Sequence, residues 1–199
     1  MSGAFSGDAS ARSLRLLALG DSLTAGYLLA ERDAFPAQLE KSLRAKGLDV
    51  AVVNAGVSGD TATAELERLD WALTDDFDGA IVEAGANDML RGIDPAITKA
   101  ALSGILAKLK ERHIPVLLAG MVAAPGMGRA YEEAFNAIYP QVAREFEAPL
   151  YPFFLDGVAG NPALQLSDGM HPNQEGVRRM VQGILPFVLK LITDGRPAN

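Results

Sequence analysis

Short apolar segments alternate along this chain with longer segments that have the periodicity of amphipathic helices. The apolar segments cover residues 14–19, 49–54, 79–83, 114–120 and 149–153. Apolar runs of this length are typical of buried strands. Strands that alternate with helices form a parallel sheet covered by helices on both faces, because each parallel pair needs a crossover connection. The sequence therefore predicts an α/β protein.

Capping residues indicate where the intervening helices begin. Asp33, Asp60 and Asp94 are each expected to cap a helix, since a carboxylate can accept the free N–H groups of the first turn. Asp94 is followed by a proline, which suits the first helical position. Two further helices are expected over residues 129–146 and after Asn173, where apolar residues recur at helical spacing.

Length and charge restrict the classes of protein that this chain can belong to. Its 199 residues suit one domain over residues 13–195, preceded by a flexible tail of small and polar residues 1–12. The net charge is −7 and there is no basic tract. Nucleic acid and anionic membrane are therefore not expected partners. The chain has no cysteine, which excludes disulfides, thiolate metal sites and cysteine nucleophiles.

Two kinds of apolar segment are absent from the sequence. The first dozen residues lack the apolar core of a signal peptide, and no run reaches the roughly 20 apolar residues of a transmembrane helix. The default expectation is a cytoplasmic protein without a transmembrane segment. A periplasmic or secreted location follows instead if a signal peptide has been removed.

Irregular segments follow several of the expected strands, and they carry the polar side chains of greatest interest. Ser22 comes directly after the first strand. The segments Gly56–Thr61, Gly85–Asp88 and Met121–Arg129 follow later strands, and Leu155–Asn173 is irregular as well. In open α/β sheets, ligands bind beyond the carboxyl ends of the strands. A binding site is therefore expected at that edge.

The two histidines of the chain have different surroundings. His113 lies at a helix C-terminus, where the helix dipole alone explains a histidine. His171 lies in the irregular segment, three residues after Asp168. A carboxylate at that spacing can accept the Nδ1 proton and leave Nε2 free to act as a base. Taken alone, this pair is more typical of a helix cap with a surface histidine, and Ser22 alone is more typical of an N-cap.

Further donors on the same edge favour acyl-transfer chemistry. Gly59 offers a bare backbone N–H and Asn87 a side-chain amide, which are groups that stabilise an oxyanion. Together with Ser22, His171 and Asp168 they supply a nucleophile, a base and an orienting acid. The nucleophile-elbow and nucleotide-binding motifs are absent. A metal site is not expected, because no second histidine adjoins His171.

Four segments of the chain together resemble the SGNH hydrolases, also called GDSL lipases and esterases. They are Gly20–Gly26, Asn54–Thr61, Gly85–Asp88 and Asp168–Pro172, in the order that is typical of the family. The resemblance extends from about Leu14 to Ile192. Within the family the chain is most similar to the small bacterial thioesterase I and arylesterase group.

The resemblance implies both a fold and a set of roles. The fold is a flavodoxin-like three-layer α/β/α sandwich with a five-stranded parallel sheet. Ser22 is the nucleophile, His171 the base and Asp168 the acid, and no metal or cofactor takes part. The backbone N–H groups of Ser22 and Gly59 and the amide of Asn87 form the oxyanion hole. Asp21 is interpreted as supporting the turn rather than as the acid of the triad.

The expected substrate is a small-molecule carboxylic ester with a short, medium or aryl group, or an acyl thioester. Met121, Ala123, Pro125 and Met127 are expected to line an acyl pocket, although apolar residues there equally suit the edge of the core. The loop Ala123–Gly128 resembles arylesterases more than thioesterases. Two other hypotheses stay open, namely an acyltransferase that uses the same acyl-enzyme and a non-catalytic binding module on the same fold.

Overall fold

The computed structural model describes residues 12–194, in which five strands and seven α-helices alternate. The strands are β1 (Leu14–Gly20), β2 (Val50–Gly56), β3 (Gly79–Glu83), β4 (Val116–Ala119) and β5 (Leu150–Tyr151). The helices are α1 (Ser22–Ala25), α2 (Phe35–Arg44), α3 (Ala62–Ala72), α4 (Ala86–Leu90), α5 (Pro95–Glu111), α6 (Arg129–Phe146) and α7 (Gln174–Asp194).

All five strands are parallel and lie in the order β2-β1-β3-β4-β5. Helices α2 and α7 pack together on one face of the sheet, while α3, α5 and α6 pack together on the other. The three-layer α/β/α sandwich expected from the sequence is therefore confirmed. Since every strand runs in the same direction, all the carboxyl ends reach one edge.

The strand order reverses next to β1. From β1 the chain crosses to β2 on one side, and β3 then pairs with β1 on the other side. Such a reversal opens a crevice between the loops that leave the two inner strands. The turn after β1 carries Ser22, and the segment after β3 carries Asn87. The topology alone therefore places these two residues at the same crevice.

The central strands are buried more completely than the outer ones. Every residue of β3 is buried, as are the last five residues of β1. Apolar residues on one face of each of the helices α2, α5 and α7 cover these central strands. They include Leu39, Leu102 and Ile184, which have no exposed surface. This packing makes the sheet a rigid platform, and it fixes the positions from which the loops at its carboxyl edge begin.

Two of the expected helix caps differ from those in the structure. Asp33 ends a short 3₁₀ turn, and Ala34 is the N-cap of α2 without a side-chain hydrogen bond. At α3 the cap is Thr61, whose hydroxyl accepts from the N–H of Ala64, while Asp60 pairs with Arg68. In both cases the carboxylate binds another side chain instead, Gln174 for Asp33 and Arg68 for Asp60. Asp94 caps α5 as expected, accepting from the N–H of Ala96.

The last two strands of the chain, β4 and β5, are shorter than their apolar segments. Strand β4 occupies residues 116–119 of the expected 114–120, and β5 occupies 150–151 of the expected 149–153. Pro115 precedes β4, while Pro149 and Pro152 flank β5. A proline has no N–H to donate to the neighbouring strand, so the ladder of hydrogen bonds ends at these positions.

The ends of the chain are described only in part. Of the expected tail, residues 1–11 lie outside the described residues, and Arg12 pairs with Asp78 at an N···O distance of 2.6 Å. Residue 195, the last of the expected domain, also lies outside them. The domain bounds stay a prediction. No helix between residues 12 and 194 has the length and apolar character needed to cross a bilayer.

Candidate active site

Ser22 is the first residue of α1, directly beyond the end of β1. Its cap is Asp21, whose Oδ1 accepts the N–H of Leu23 at 2.9 Å. The hydroxyl of Ser22 is therefore free of the capping role that a serine at a strand end often has. The residue is 8 % exposed, so its hydroxyl lies at the floor of the crevice. Its backbone N–H belongs to the first helical turn, which has no intrahelical acceptor.

His171 and Ser22 meet although they are 149 residues apart in sequence. The Nε2 atom of His171 lies 2.9 Å from the Oγ atom of Ser22. On the other side of the imidazole, Nδ1 lies 2.7 Å from Oδ2 of Asp168. The ring of Tyr27 packs against the imidazole with centroids 4.5 Å apart. Asp168, His171 and Ser22 thus form a continuous hydrogen-bonded relay from carboxylate to hydroxyl.

Asp168 is held by the backbone of its own loop. Its Oδ1 accepts the N–H groups of Met170 and His171, at 2.9 and 3.0 Å. These bonds stabilise the charged form and, with the imidazole, lower the pKa of Asp168 to about 2. A short bridge between Gln165 and Pro172 closes the loop at its base. The carboxylate is therefore ionised and correctly aimed before any ligand arrives.

The loop between β2 and α3 brings a glycine peptide to the same crevice. Gly59 has a φ of 91°, a conformation that a side chain would strain. Its carbonyl accepts from Nη2 of Arg91 at 2.7 Å. The salt bridge between Asp60 and Arg68 fixes the next residue. Both arginines thus restrain the loop.

Asn87 lies in α4 and connects three parts of the site. Its Nδ2 group donates to Oδ2 of Asp21 and to the carbonyl of Asp60, both at 2.9 Å. One hydrogen thus points to the Ser22 turn and the other to the Gly59 loop. Any negatively charged oxygen that entered the crevice would compete with the Asp60 carbonyl for the second hydrogen.

Three buried carboxyl groups that the sequence did not single out lie behind this site. Glu65, Glu83 and Asp88 have no exposed surface. Asp88 accepts the N–H of Ala62 and the hydroxyl of Thr98, which ties α4 to α3 and α5. Burial raises the pKa of both Glu65 and Glu83 well above its usual range. For Glu83 the only signal in the sequence was that a glutamate ends an otherwise apolar strand, β3.

The residues expected to form an acyl pocket differ in exposure. Met121 and Ala123 are buried, Met127 is partly buried and Pro125 is exposed. The N–H of Ala123 donates to Oδ1 of Asn136, which anchors this loop to α6. Of these four residues, Pro125 and Met127 therefore offer most of the surface that a ligand could contact.

His113 lies far from this crevice, as its helix-end interpretation implies. It follows α5 with a φ of 57° and lines a depression at the amino-terminal edge of the sheet, beside Pro115 and Pro149. Within residues 12–194, no cluster of three or more histidine, aspartate or glutamate side chains is arranged to hold a metal ion.

Comparison with known proteins identifies the class of enzyme to which this fold and crevice belong. Residues 18–179 match the GDSL-like Lipase/Acylhydrolase family. The chain belongs to this family and is a GDSL-type carboxylic ester hydrolase. The resemblance to SGNH hydrolases noted in the sequence is thereby confirmed.

Individual relatives cover most of the chain. It is 42 % identical over 161 residues to "Thioesterase 1/protease 1/lysophospholipase L1" of Escherichia coli, which covers 80 % of this chain and 76 % of that protein. It is 38 % identical to an arylesterase of Vibrio mimicus, with 84 % of each chain covered. The crystal structure of AlinE4, an SGNH-hydrolase family esterase, superposes with a TM-score of 0.77 at 44 % identity, covering 94 % of this chain and 99 % of that one.

Proposed function

We propose that the protein hydrolyses carboxylic esters through an acyl-enzyme on Ser22, with His171 as general base and Asp168 as the orienting acid. The observation that supports this most directly is the relay of two short contacts, 2.7 Å from Asp168 to His171 and 2.9 Å from His171 to Ser22. A hydroxyl, an imidazole and a carboxylate in this order make up the catalytic unit of serine hydrolases.

The geometry supports a two-stage reaction. The Oγ atom of Ser22 attacks the acyl carbon while its proton moves to Nε2 of His171, and the carbonyl electrons move to the oxygen. When this oxyanion collapses, the bond to the alcohol breaks and the alcohol takes the proton from Nε2. Water then attacks the acyl-enzyme with His171 as its base. The carboxylic acid leaves, and Ser22 regains its proton.

The oxyanion hole in this proposal consists of three N–H donors. They are the backbone N–H groups of Ser22 and Gly59 and the Nδ2 group of Asn87. Donors of this kind stabilise negative charge that exists only in the transition state, and one donor typically contributes about 3–4 kcal/mol to catalysis. The free protein has these donors on loops that are already restrained by Arg68, Arg91 and Asp21.

The surface next to His171 favours an apolar or aryl leaving group. The leaving oxygen takes its proton from Nε2, so the group attached to it must lie beside the imidazole. Tyr27 packs on the imidazole, and Leu28 and Met170 are the sequence neighbours of Tyr27 and His171; the three are 40 %, 76 % and 47 % exposed. An aromatic alcohol would cover this apolar surface. Aryl esters are therefore the proposed substrates of choice, with acyl thioesters as the second class, in keeping with the names of the two relatives.

The accessibility of the imidazole favours hydrolysis over acyl transfer. The side chains of His171 and Asp168 are 18 % and 30 % exposed, so this pair lies open to solvent. An acyltransferase has to exclude water from this position in favour of its alcohol.

The cytoplasmic location expected by default stays a prediction.

The proposal is tested with p-nitrophenyl esters of graded acyl length. We expect the wild-type protein to hydrolyse short and medium chains, and Ser22→Ala to lose at least about 10³-fold in kcat, since the nucleophile is removed. Thermal melting of both proteins checks that the variant is folded. Equal activity of wild type and Ser22→Ala, or no activity of the wild type on any ester, would overturn the proposal.

A further inference from the structure

Several acidic side chains without enough counter-charge are buried behind the Ser22 turn. Asp21, Glu65 and Glu83 each have no exposed surface. The ionisable groups around them are Arg68 from α3, Asp60 from the preceding loop, Asp88 from α4, Tyr139 from α6 and, beside Asp21, His171. Arg68 is the one permanent cation among these groups, and it is already bound to Asp60 and to the carbonyl of Gly20. The buried carboxyl groups therefore cannot all be ionised at once.

The hydrogen bonds around Asp21 and Glu83 indicate which of the two carries the charge. Asp21 accepts on both oxygens, from the N–H of Leu23 and from the amide of Asn87. Glu83 accepts on Oε2 only, from the hydroxyl of Thr24 at 3.0 Å and the N–H of Asp21 at 3.2 Å. Its Oε1 is buried without any donor. A buried oxygen without a donor is far less costly on a neutral acid than on a carboxylate.

The carboxyl group of Glu83 lies against Asp21, whose backbone N–H donates to Oε2 of Glu83 at 3.2 Å. The two side chains are close enough for a hydrogen bond between them, so one proton can serve both. Burial raises the pKa of Glu83 well above its usual range, and the negative charge of Asp21 raises it further. The pKa of Asp21 is raised less, because bonds from Leu23, Glu83 and Asn87 offset part of the desolvation. The proton therefore belongs to Glu83.

We propose that Glu83 is a positioning residue, a neutral acid that donates a hydrogen bond to the Asp21 carboxylate and thereby fixes Asp21 between the Ser22 turn and Asn87. Asp21 then acts through two contacts. It holds the N–H of Leu23, which shapes the turn, and one hydrogen of the Asn87 amide. The other hydrogen is thereby directed to the Gly59 loop, where an oxyanion would compete for it with the carbonyl of Asp60. This inference rests on the roles proposed above for Ser22 and Asn87.

The close packing of this region explains why the position of Glu83 is sensitive. A methyl group added at Gly20 would lie 2.2 Å from Oγ1 of Thr24 and 2.6 Å from Oε2 of Glu83. The carboxyl group of Glu83 thus lies directly against the backbone that leads into the nucleophile. A shift of Glu83 towards this backbone would displace Gly20 or Thr24. Because Ser22 lies between those two residues in the chain, its position would change as well.

The first test compares Glu83→Gln with Glu83→Met. Glutamine is neutral, and its amide can donate to Asp21 while its carbonyl accepts from Thr24, so activity should be retained within a few-fold. Methionine fills the space without hydrogen bonds, and kcat should fall about 10- to 100-fold, the usual effect of losing a hydrogen bond to a charged group. Glu133→Gln, an exposed glutamate paired with Arg129, is the matched control and should not change.

The pH profile separates a neutral Glu83 from an ionised one. If Glu83 is neutral, Glu83→Gln changes no charge, and the acidic limb of kcat/KM keeps its midpoint. If Glu83 were ionised, the variant would remove a negative charge near His171. Protonation of His171 would then become harder, and the limb would move to lower pH. A shift of that kind would overturn the inference.

A stability measurement tests Glu83 without relying on catalysis. A carboxyl group whose folded pKa is raised stabilises the protein below its unfolded pKa of about 4.3. This stabilisation is lost as the pH rises through the folded pKa. The stability of Glu83→Gln relative to Glu83 should therefore increase with pH. A constant difference, or one that decreases, would overturn the inference. Measured in the Ser22→Ala background, the result holds even if the esterase proposal fails.

A double-mutant cycle tests whether Glu83 acts through Asn87. Asn87→Ala removes the oxyanion donor, so Glu83→Met should cost clearly less in that background than in the wild type. The full cost in both backgrounds would contradict the positioning role and would leave only a structural one. The relative activity of Ser22→Ala in the same assay reports separately on the proposed nucleophile.

Discussion

At the scale of single residues, the proposed relay depends on a carboxylate that stays ionised well below neutral pH. The pKa of Asp168 is lowered to about 2 by the N–H groups of Met170 and His171 and by the imidazole. A loss of activity on mild acidification would therefore not reflect neutralisation of Asp168.

Replacement of Asp168 by asparagine tests this assignment. The amide keeps the shape but cannot stabilise the imidazolium, and the wrong tautomer of His171 is favoured, so kcat should fall about 10⁴-fold. Because Asp168 is partly exposed, the melting temperature should change little. Steady-state kinetics and thermal melting measure the two effects. A variant with near wild-type kcat would show that the acid is another group.

Leu28 has an unfavourable backbone conformation and an exposed apolar side chain, and both features are typical of a residue that contacts a ligand. It has a φ of 57° and is 76 % exposed, although leucine disfavours both. Strain of this kind is frequently found at ligand sites. Leu28→Asn should relieve it, since asparagine tolerates the left-handed conformation. The melting temperature should hold or rise.

The same variant should weaken the binding of aryl esters. Loss of the apolar contact should raise KM for a phenyl ester about 3- to 10-fold, while KM for the methyl ester of the same acid stays unchanged. A lower melting temperature with equal KM values for both esters would show that Leu28 serves the fold rather than the leaving group.

At the scale of elements, local signals predicted the helices, and contacts with other side chains decided their caps. Asp94 caps α5 as expected, and its Oδ1 accepts the N–H of Ala96. Asp33 and Asp60 looked equivalent to Asp94, but they bind Gln174 and Arg68 instead. Glu83 was missed for a related reason. A glutamate at a strand end suggests an exposed turn, and only the packing of α1 and α3 against β1 shows it to be buried.

This difference between caps is measurable. Asp94→Ala should lower the free energy of unfolding by about 1 kcal/mol, because the first turn of α5 loses its acceptor. Asp33→Ala is the matched control and should cost less than about 0.5 kcal/mol, since it removes only an exposed contact. Urea denaturation gives both values, and neither variant should change kcat. Equal losses would indicate that Asp33 is a cap after all.

At the scale of the whole molecule, stability is unevenly distributed between the sheet and the segment that carries His171. The residues of β1 and β3 are almost all buried, whereas in Leu155–Asn173 only Val158 and Pro172 are buried. Segments with few buried apolar contacts open at lower free energy than the core. The relay should therefore be the first part of the protein to be lost.

Urea titration tests this ordering. Esterase activity is expected to disappear at a lower urea concentration than the far-ultraviolet circular dichroism signal, because the His171 segment opens while the sheet persists. Activity measured after equilibration in urea and compared with the spectrum decides the matter. Coincident transitions would show that the segment unfolds only with the core.

The distance in sequence between the two ends of the relay also bears on how the protein is made. Ser22 and His171 are 149 residues apart, and the base follows all five strands. A nascent chain therefore carries Ser22 from the beginning of synthesis but lacks the proposed base until the ribosome has passed residue 171. In the proposed mechanism a partly made chain cannot hydrolyse esters, because Ser22 meets His171 only after the sheet is complete.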